Sequence, residues 1–94
     1  MTDKLQRHNI AAWSAIERLL DKLPDLCAIE RDAIVFKIEG ANATYDIPLS
    51  KCDTHSKIIA WQCLLFEKRW ADIDVVTRFT LLACKHHGLA IDFP

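Results

Sequence analysis

Glycine and proline are scarce in this chain of 94 residues, which holds two Gly and three Pro. Gly/Ser linkers, low-complexity tracts and internal repeats are all absent, so most of the chain is expected to be regular structure in one small α+β domain spanning residues 1–94. The two glycines lie far apart, and no phosphate-cradling loop can be drawn around them. No uninterrupted apolar run approaches the roughly 18 residues a membrane span requires. The N-terminus mixes charge from the start and lacks an apolar core, so it does not read as a signal peptide. No excess of either charge sign exists: residues 1–45 carry six basic and seven acidic side chains, and residues 46–94 carry six of each. A phosphate-binding protein concentrates basic charge on one face, so charge argues against a nucleic-acid partner. With no secretory or membrane signal, a cytoplasmic setting is expected. There the four cysteines would be free thiols or metal ligands rather than disulfides.

What the chain has in plenty is apolar surface. Hydrophobic residues make up 51% of it, while a domain this small buries only about two-thirds of its unfolded surface. Some apolar side chains should therefore stay outside the monomer's core, available to a protein partner or to a second copy in a homodimer.

The periodicity organises the rest. Residues 3–23 read as an amphipathic helix with Leu5, Ala12, Trp13, Ile16, Leu19, Leu20 and Leu23 on one face; Pro24 ends it, and Ile10 falls off that face. The period then changes to two. Ile34, Phe36 and Ile38 pair in a hairpin with Tyr45, Ile47 and Leu49 across a turn at residues 40–43, and residues 26–30 add a third antiparallel strand turning at Arg31-Asp32. Pro48 cannot donate to a ladder, which places its strand at an edge or at its end.

A second helix is expected from Thr54 to Trp70, capped by Asp53 or Thr54. Ile59, Cys63, Phe66 and Trp70 form one stripe on it, and Ile58, Trp61, Leu64 and Leu65 another. Such a helix should be packed from more than one side at the centre of the core. Asp72 caps a third helix over residues 73–87, closed by Gly88, with Val75, Val76, Phe79, Leu82, Ala83 and His86 facing inward. The tail LAIDFP either adds a short strand or folds back over the core. The expected architecture is α+β: an N-terminal helix, a small antiparallel meander of two or three strands, and a C-terminal helical hairpin packed on the sheet.

Two stretches carry metal-ligand chemistry, CDTH at Cys52 to His55 and CKHH at Cys84 to His87. Each sets a Cys three residues before a His, and an antiparallel hairpin would bring the two pairs together. Cys52, His55, Cys84 and His87 could then close a tetrahedral zinc site and make the chain a small zinc-stabilised module. The plainer reading carries more weight: Cys serves as a small hydrophobe, and His86-His87 makes a polar helix end. The wide spacing between the pairs matches no finger signature, and no cofactor is expected. A Cys/His nucleophile is formally available, with Cys52 at a helix start where thiol pKa values fall. No oxyanion hole or cleft accompanies it, so an enzyme is not expected.

The third helix invites comparison with the reading helix of DNA-binding hairpins, its outer face offering Asp74, Thr77, Arg78, Leu81 and Lys85. Two bases and one acid make a thin reading head. For a protein partner, the anchors expected on the hairpin are Trp61, Leu64 and Leu81.

From Tyr45 to Gly88 the residue order has a recognisable pattern. Its elements are YDIPLS at residues 45–50, Cys52-Asp53-Thr54, Lys57-Ile58, Trp61, Leu65, Lys68 and Trp70, Phe79, and His87-Gly88. This resembles a group of short uncharacterised proteins encoded by phages and plasmids. Members of that group carry a His just before the residue matching Leu65; here Leu64 stands there, so any role of that His does not carry over. The resemblance implies a mobile-element setting rather than an activity. The function expected is that of a non-enzymatic phage- or plasmid-encoded protein binding a host or phage protein, an inhibitor of a host defence system being one form. The alternative is a DNA-binding accessory or regulatory protein using the third helix.

Overall fold

A three-stranded antiparallel meander in the order β1-β2-β3 forms one layer, with β1 at Cys27–Glu30, β2 at Ala33–Phe36 and β3 at Tyr45–Pro48. A computed structural model describes residues 13–38, 40 and 44–93. The register opposes Cys27 to Phe36 and Ile34 to Ile47, which puts all four on one face, and all four are fully buried. Alternation thus selects the inward face as the pleat dictates. Arg31 takes the left-handed conformation (φ 58) in the tight β1–β2 turn. The carbonyl of the next residue, Asp32, accepts from the Leu49 amide at 2.8 Å. β3 is an edge strand and ends at Pro48, where a missing amide costs no ladder bond. Of the turn at residues 40–43 only Gly40 lies within the described residues.

The N-terminal helix, α1, is described over residues 13–22; the part of the expected helix before Trp13, with Leu5, Ile10 and Ala12, lies outside the described residues. Ile16 is buried and Leu20 and Leu23 are half-buried, but Trp13 and Leu19 are exposed, so the expected face is covered only along its middle. A short 3₁₀ turn, Leu49–Lys51, leads to α2, His55–Leu65. Thr54 caps α2, its hydroxyl accepting from the Lys57 amide at 3.2 Å. α3 runs from Ile73 to His87. The Asp72 carboxylate accepts from the Val75 amide at 3.0 Å, and Gly88 closes the helix in the left-handed conformation (φ 65). Both caps of α3 stand where the sequence put them.

Two expectations about the helices are corrected. α2 stops at Leu65 rather than Trp70. Its backbone bonds tighten from Phe66–Gln62 to Glu67–Leu64 and Lys68–Leu65, and the chain then turns. That bend delivers Trp70 to the sheet, with its ring 5.7 Å from Phe36 and 5.3 Å from Tyr45. Nor is α2 the centre of the core: Ile58 and Leu65 are its buried residues, while Ile59, Cys63, Leu64 and Phe66 are exposed. The central helix is α3. Val75, Val76, Phe79, Leu81, Ala83 and Cys84 are buried along it, because it touches β1 and β2 on one side and α2 on another. Its third side meets α1 through the Lys85–Glu17 ion pair and through Arg78 Nη1, which donates to the Leu20 carbonyl at 3.5 Å. The tail folds back: Leu89 and Ile91 pack half-buried against the core. Among the described residues no helix is long and apolar enough to cross a membrane.

Candidate association surface

The expected zinc ligands are placed individually by their hydrogen bonds. The buried Cys52 thiol points at the carbonyls of Pro48 and Leu49, at 3.7 and 3.6 Å. His87 Nε2 lies 2.8 Å from the Leu49 carbonyl, and His55 Nε2 lies 2.8 Å from the Ala90 carbonyl. A carbonyl only accepts, so each imidazole spends its Nε2 proton on the backbone. Cys84, outside the inner stripe expected for α3, is buried in the core. Among the described residues no group of three or more His, Cys, Asp or Glu is arranged to hold a metal ion.

Three of the four thiols are buried. Burial pushes Cys27 up to about 12. Burial first, then the Asp53 charge and Cys84, push Cys52 up to about 11, the reverse of the depression expected at a helix start. Burial also raises Cys84. Neutral thiols are poor nucleophiles and poor ligands. Of the four free cysteines only Cys63 is exposed. A thiol-specific reagent at neutral pH is therefore expected to titrate one thiol rapidly in the native protein and all four in denaturant. Mass spectrometry should place the fast label on Cys63; rapid native labelling of Cys52 or Cys84 would contradict this burial.

Two of the five residues of the expected reading head on α3, Arg78 and Leu81, are drawn into the fold. Leu81 is 4% exposed. Arg78 keeps only 15% of its side chain exposed and donates from Nε to the Cys27 carbonyl at 2.6 Å. Lys85 pairs with Glu17. As a partner anchor Leu81 is ruled out by its burial. Trp61 is half-buried and donates from Nε1 to the Lys51 carbonyl at 3.0 Å, so its indole has a structural role. Leu64 is exposed at 46%, but helical spacing of 100° per residue turns it away from α3.

The exposed apolar side chains that do gather lie elsewhere. Between α2 and α3 runs a trough of about 360 Å³, lined by Leu19 of α1, Phe66, Ile73, Val76, Leu81 and the tail's Phe93. A second, of about 490 Å³, carries it on past Ile59 to His55. Gln62, Thr80 and Ile91 line both, so the two form one continuous face. Ile59 and Phe66 are each 57% exposed and Ile73 is 64% exposed. Polar groups on the floor satisfy one another: Gln62 Nε2 donates to Thr80 Oγ1 at 2.7 Å, and Thr80 Oγ1 donates to the Val76 carbonyl at 2.8 Å. Such a floor offers a polar ligand little and suits an apolar surface.

Sequence reading missed this face because Ile59 and Phe66 looked like core in a doubly packed helix. The available signal was Ile73, a large apolar residue directly after the N-cap and off the inner stripe of α3. The chain matches no family model, and no curated protein or solved structure is significantly similar to it. Its fold and surface define a small α+β domain whose described residues expose an apolar face between the two C-terminal helices.

Proposed function

We propose that this chain is a non-enzymatic protein-binding module whose working surface is the α2–α3 face. The reading rests on one observation: Ile59, Phe66 and Ile73, each more than half exposed, line a continuous trough whose polar floor is already hydrogen-bonded. Large exposed apolar side chains gathered on one face are costly unless another protein covers them. The buried, protonated thiols and the carbonyl-bound imidazoles support a non-catalytic role. Four free cysteines suit a reducing, cytoplasmic setting. The pattern from Tyr45 to Gly88 supports origin in a phage or plasmid, with a host or phage protein as partner and inhibition of a host defence system as one form of the activity.

The test is affinity capture from bacterial lysate with and without nuclease, using the full chain and an Ile59→Glu/Ile73→Glu variant. The expected result is a stoichiometric protein recovered by the first and lost with the second. Recovery of nucleic acid alone would overturn the reading in favour of the DNA-binding alternative.

A further inference from the structure

We infer that residues 89–93 form a detachable strap over the α2–α3 trough, hinged at Gly88, whose release bares apolar floor while the rest of the domain stays folded. Its opening is a property of the chain itself; only its use as a guard rests on the reading of that face as a binding surface.

The hinge is local chemistry. Gly88 adopts the left-handed conformation (φ 65). Its amide donates to the Lys85 carbonyl at 3.4 Å, and the Leu89 amide donates to the Cys84 carbonyl at 2.9 Å. This pair of bonds is a Schellman closure, which satisfies the end of α3 and reverses the chain. The closure involves nothing beyond Leu89, so the helix end does not depend on the tail. Residues 89–93 then follow without helix or strand. Leu89 and Ile91 are half-buried against the core, while Ala90 and Asp92 between and beyond them are exposed. That alternation is the mark of an extended segment with one side down.

The attachments of this segment are shallow. The Ala90 carbonyl accepts from His55 Nε2 at 2.8 Å, on an exposed flank where water can take the same place. Asp92 is engaged as well. Phe93 rests, exposed, beside Leu19 and Arg18 of α1. Below the strap the surface is sealed: Ile58 and Cys84 are both buried and line the same hollow as Ala90 and Ile91. Segments with few buried apolar groups and exposed hydrogen bonds open first, as cooperative units. Ile91 lines both halves of the trough, so a protein filling it meets the strap and gains deeper apolar floor by displacing it.

Cys84 is the natural reporter. Slow thiol labelling of the full chain, read at each cysteine by mass spectrometry in increasing sub-denaturing urea, tests the strap. Cys27, fully buried opposite Phe36 in the sheet, reports opening of the whole domain. Cys84 is expected to label well behind the exposed Cys63 but at least about 10-fold faster than Cys27. Its rate should also rise less steeply with urea, because strap release exposes little surface.

Two kinds of variant complete the test. Ile91→Ala should speed Cys84 labelling about 5–20-fold, as loss of a half-buried anchor does. His55→Ala should speed it about 2–10-fold, through loss of the Ala90 bond. Phe36→Leu weakens the domain equally with the strap on or off, so it should speed Cys27 and leave Cys84 unchanged. Cys84 following Cys27 in rate, in urea slope and under Phe36→Leu would overturn independent opening. Cys84 labelling independently but indifferent to Ile91→Ala and His55→Ala would overturn the tail as its cover. Either result leaves the captured-partner experiment standing, and failure of that capture leaves the strap standing.

Discussion

Replacing Phe36 by Ala is expected to cost about 3–5 kcal/mol of folding free energy, the range for emptying a large aromatic from a sealed site. Phe36 stands on the central strand with no exposed surface. Its ring centroid lies 5.8 Å from Tyr45, 5.7 Å from Trp70 and 5.9 Å from Phe79. These rings come from a neighbouring strand, the α2–α3 connection and α3, so one side chain joins three parts of the chain. Truncation forfeits its transfer energy, its aromatic contacts and the packing of the walls around the void. Small domains have about 5–15 kcal/mol in total, so a large share of the stability would go. At a urea slope near 1.5 kcal/mol/M the midpoint should fall by about 2–3 M, and tryptophan fluorescence should report it through Trp70. Phe36→Leu keeps most of the volume and should cost less than half as much. Equal losses for the two would show that the void is not the cause.

That cluster marks where local pattern ceases to be enough. Ile34, Phe36 and Ile47 were readable as one buried face because a strand's side-chain period is two whatever it packs on. Thr54, Asp72 and Gly88 were readable as caps because capping is local chemistry. The end of α2 was not. Apolar spacing continues through Phe66 and Trp70 with no Gly or Pro to interrupt it, and what bends the chain at residue 66 is the distant reward of seating Trp70 against Phe36 and Tyr45.

The site residues divide in the same way. Helical spacing finds the stripe of α3 that meets the sheet, yet this helix is enclosed from three directions. Leu81 and Cys84 fall off that stripe and are buried all the same. Likewise, two Cys-x-x-His pairs on adjoining helices describe a metal site only until the backbone is traced. Once it is, no three of the described His, Cys, Asp or Glu side chains stand together as a metal would need. Apolar surplus, by contrast, is a property of composition and size, and the exposed trough between α2 and α3 is its structural expression.

Arg78→Met is the second substitution expected to have a large effect, about 2–3 kcal/mol, though Met fills much the same space. Arg78 ties α3 to β1 by donating from Nε to the Cys27 carbonyl at 2.6 Å. A charge-assisted bond of that length is among the stronger ones, and its loss leaves a carbonyl beside the core without this donor. The 3.5 Å approach of Nη1 to Leu20 adds little. The Nη2 bond to Asp25, at 3.2 Å, runs to a carboxylate 64% exposed and is screened by water. Asp25→Asn should therefore cost far less than Arg78→Met, and Arg78→Lys should not restore stability, since an ammonium cannot reproduce the planar donor at Nε.

Acid separates the two contributions. The hydrogen bond from Lys37, then its charge, hold the Asp25 carboxyl below its ordinary 3.8 against the opposing effect of burial, and the Arg78 charge adds least. A depressed folded value stabilises the protein above the ordinary carboxylate range and is lost as pH falls through that folded value. The Asp25→Asn variant should accordingly match the parent's pH profile above about pH 5 and lose less stability on further acidification. Arg78→Met should be displaced downward across the whole range, with faster amide exchange in β1. An Arg78→Met protein whose deficit disappears in acid would assign the tie to Asp25 and not to the strand carbonyl.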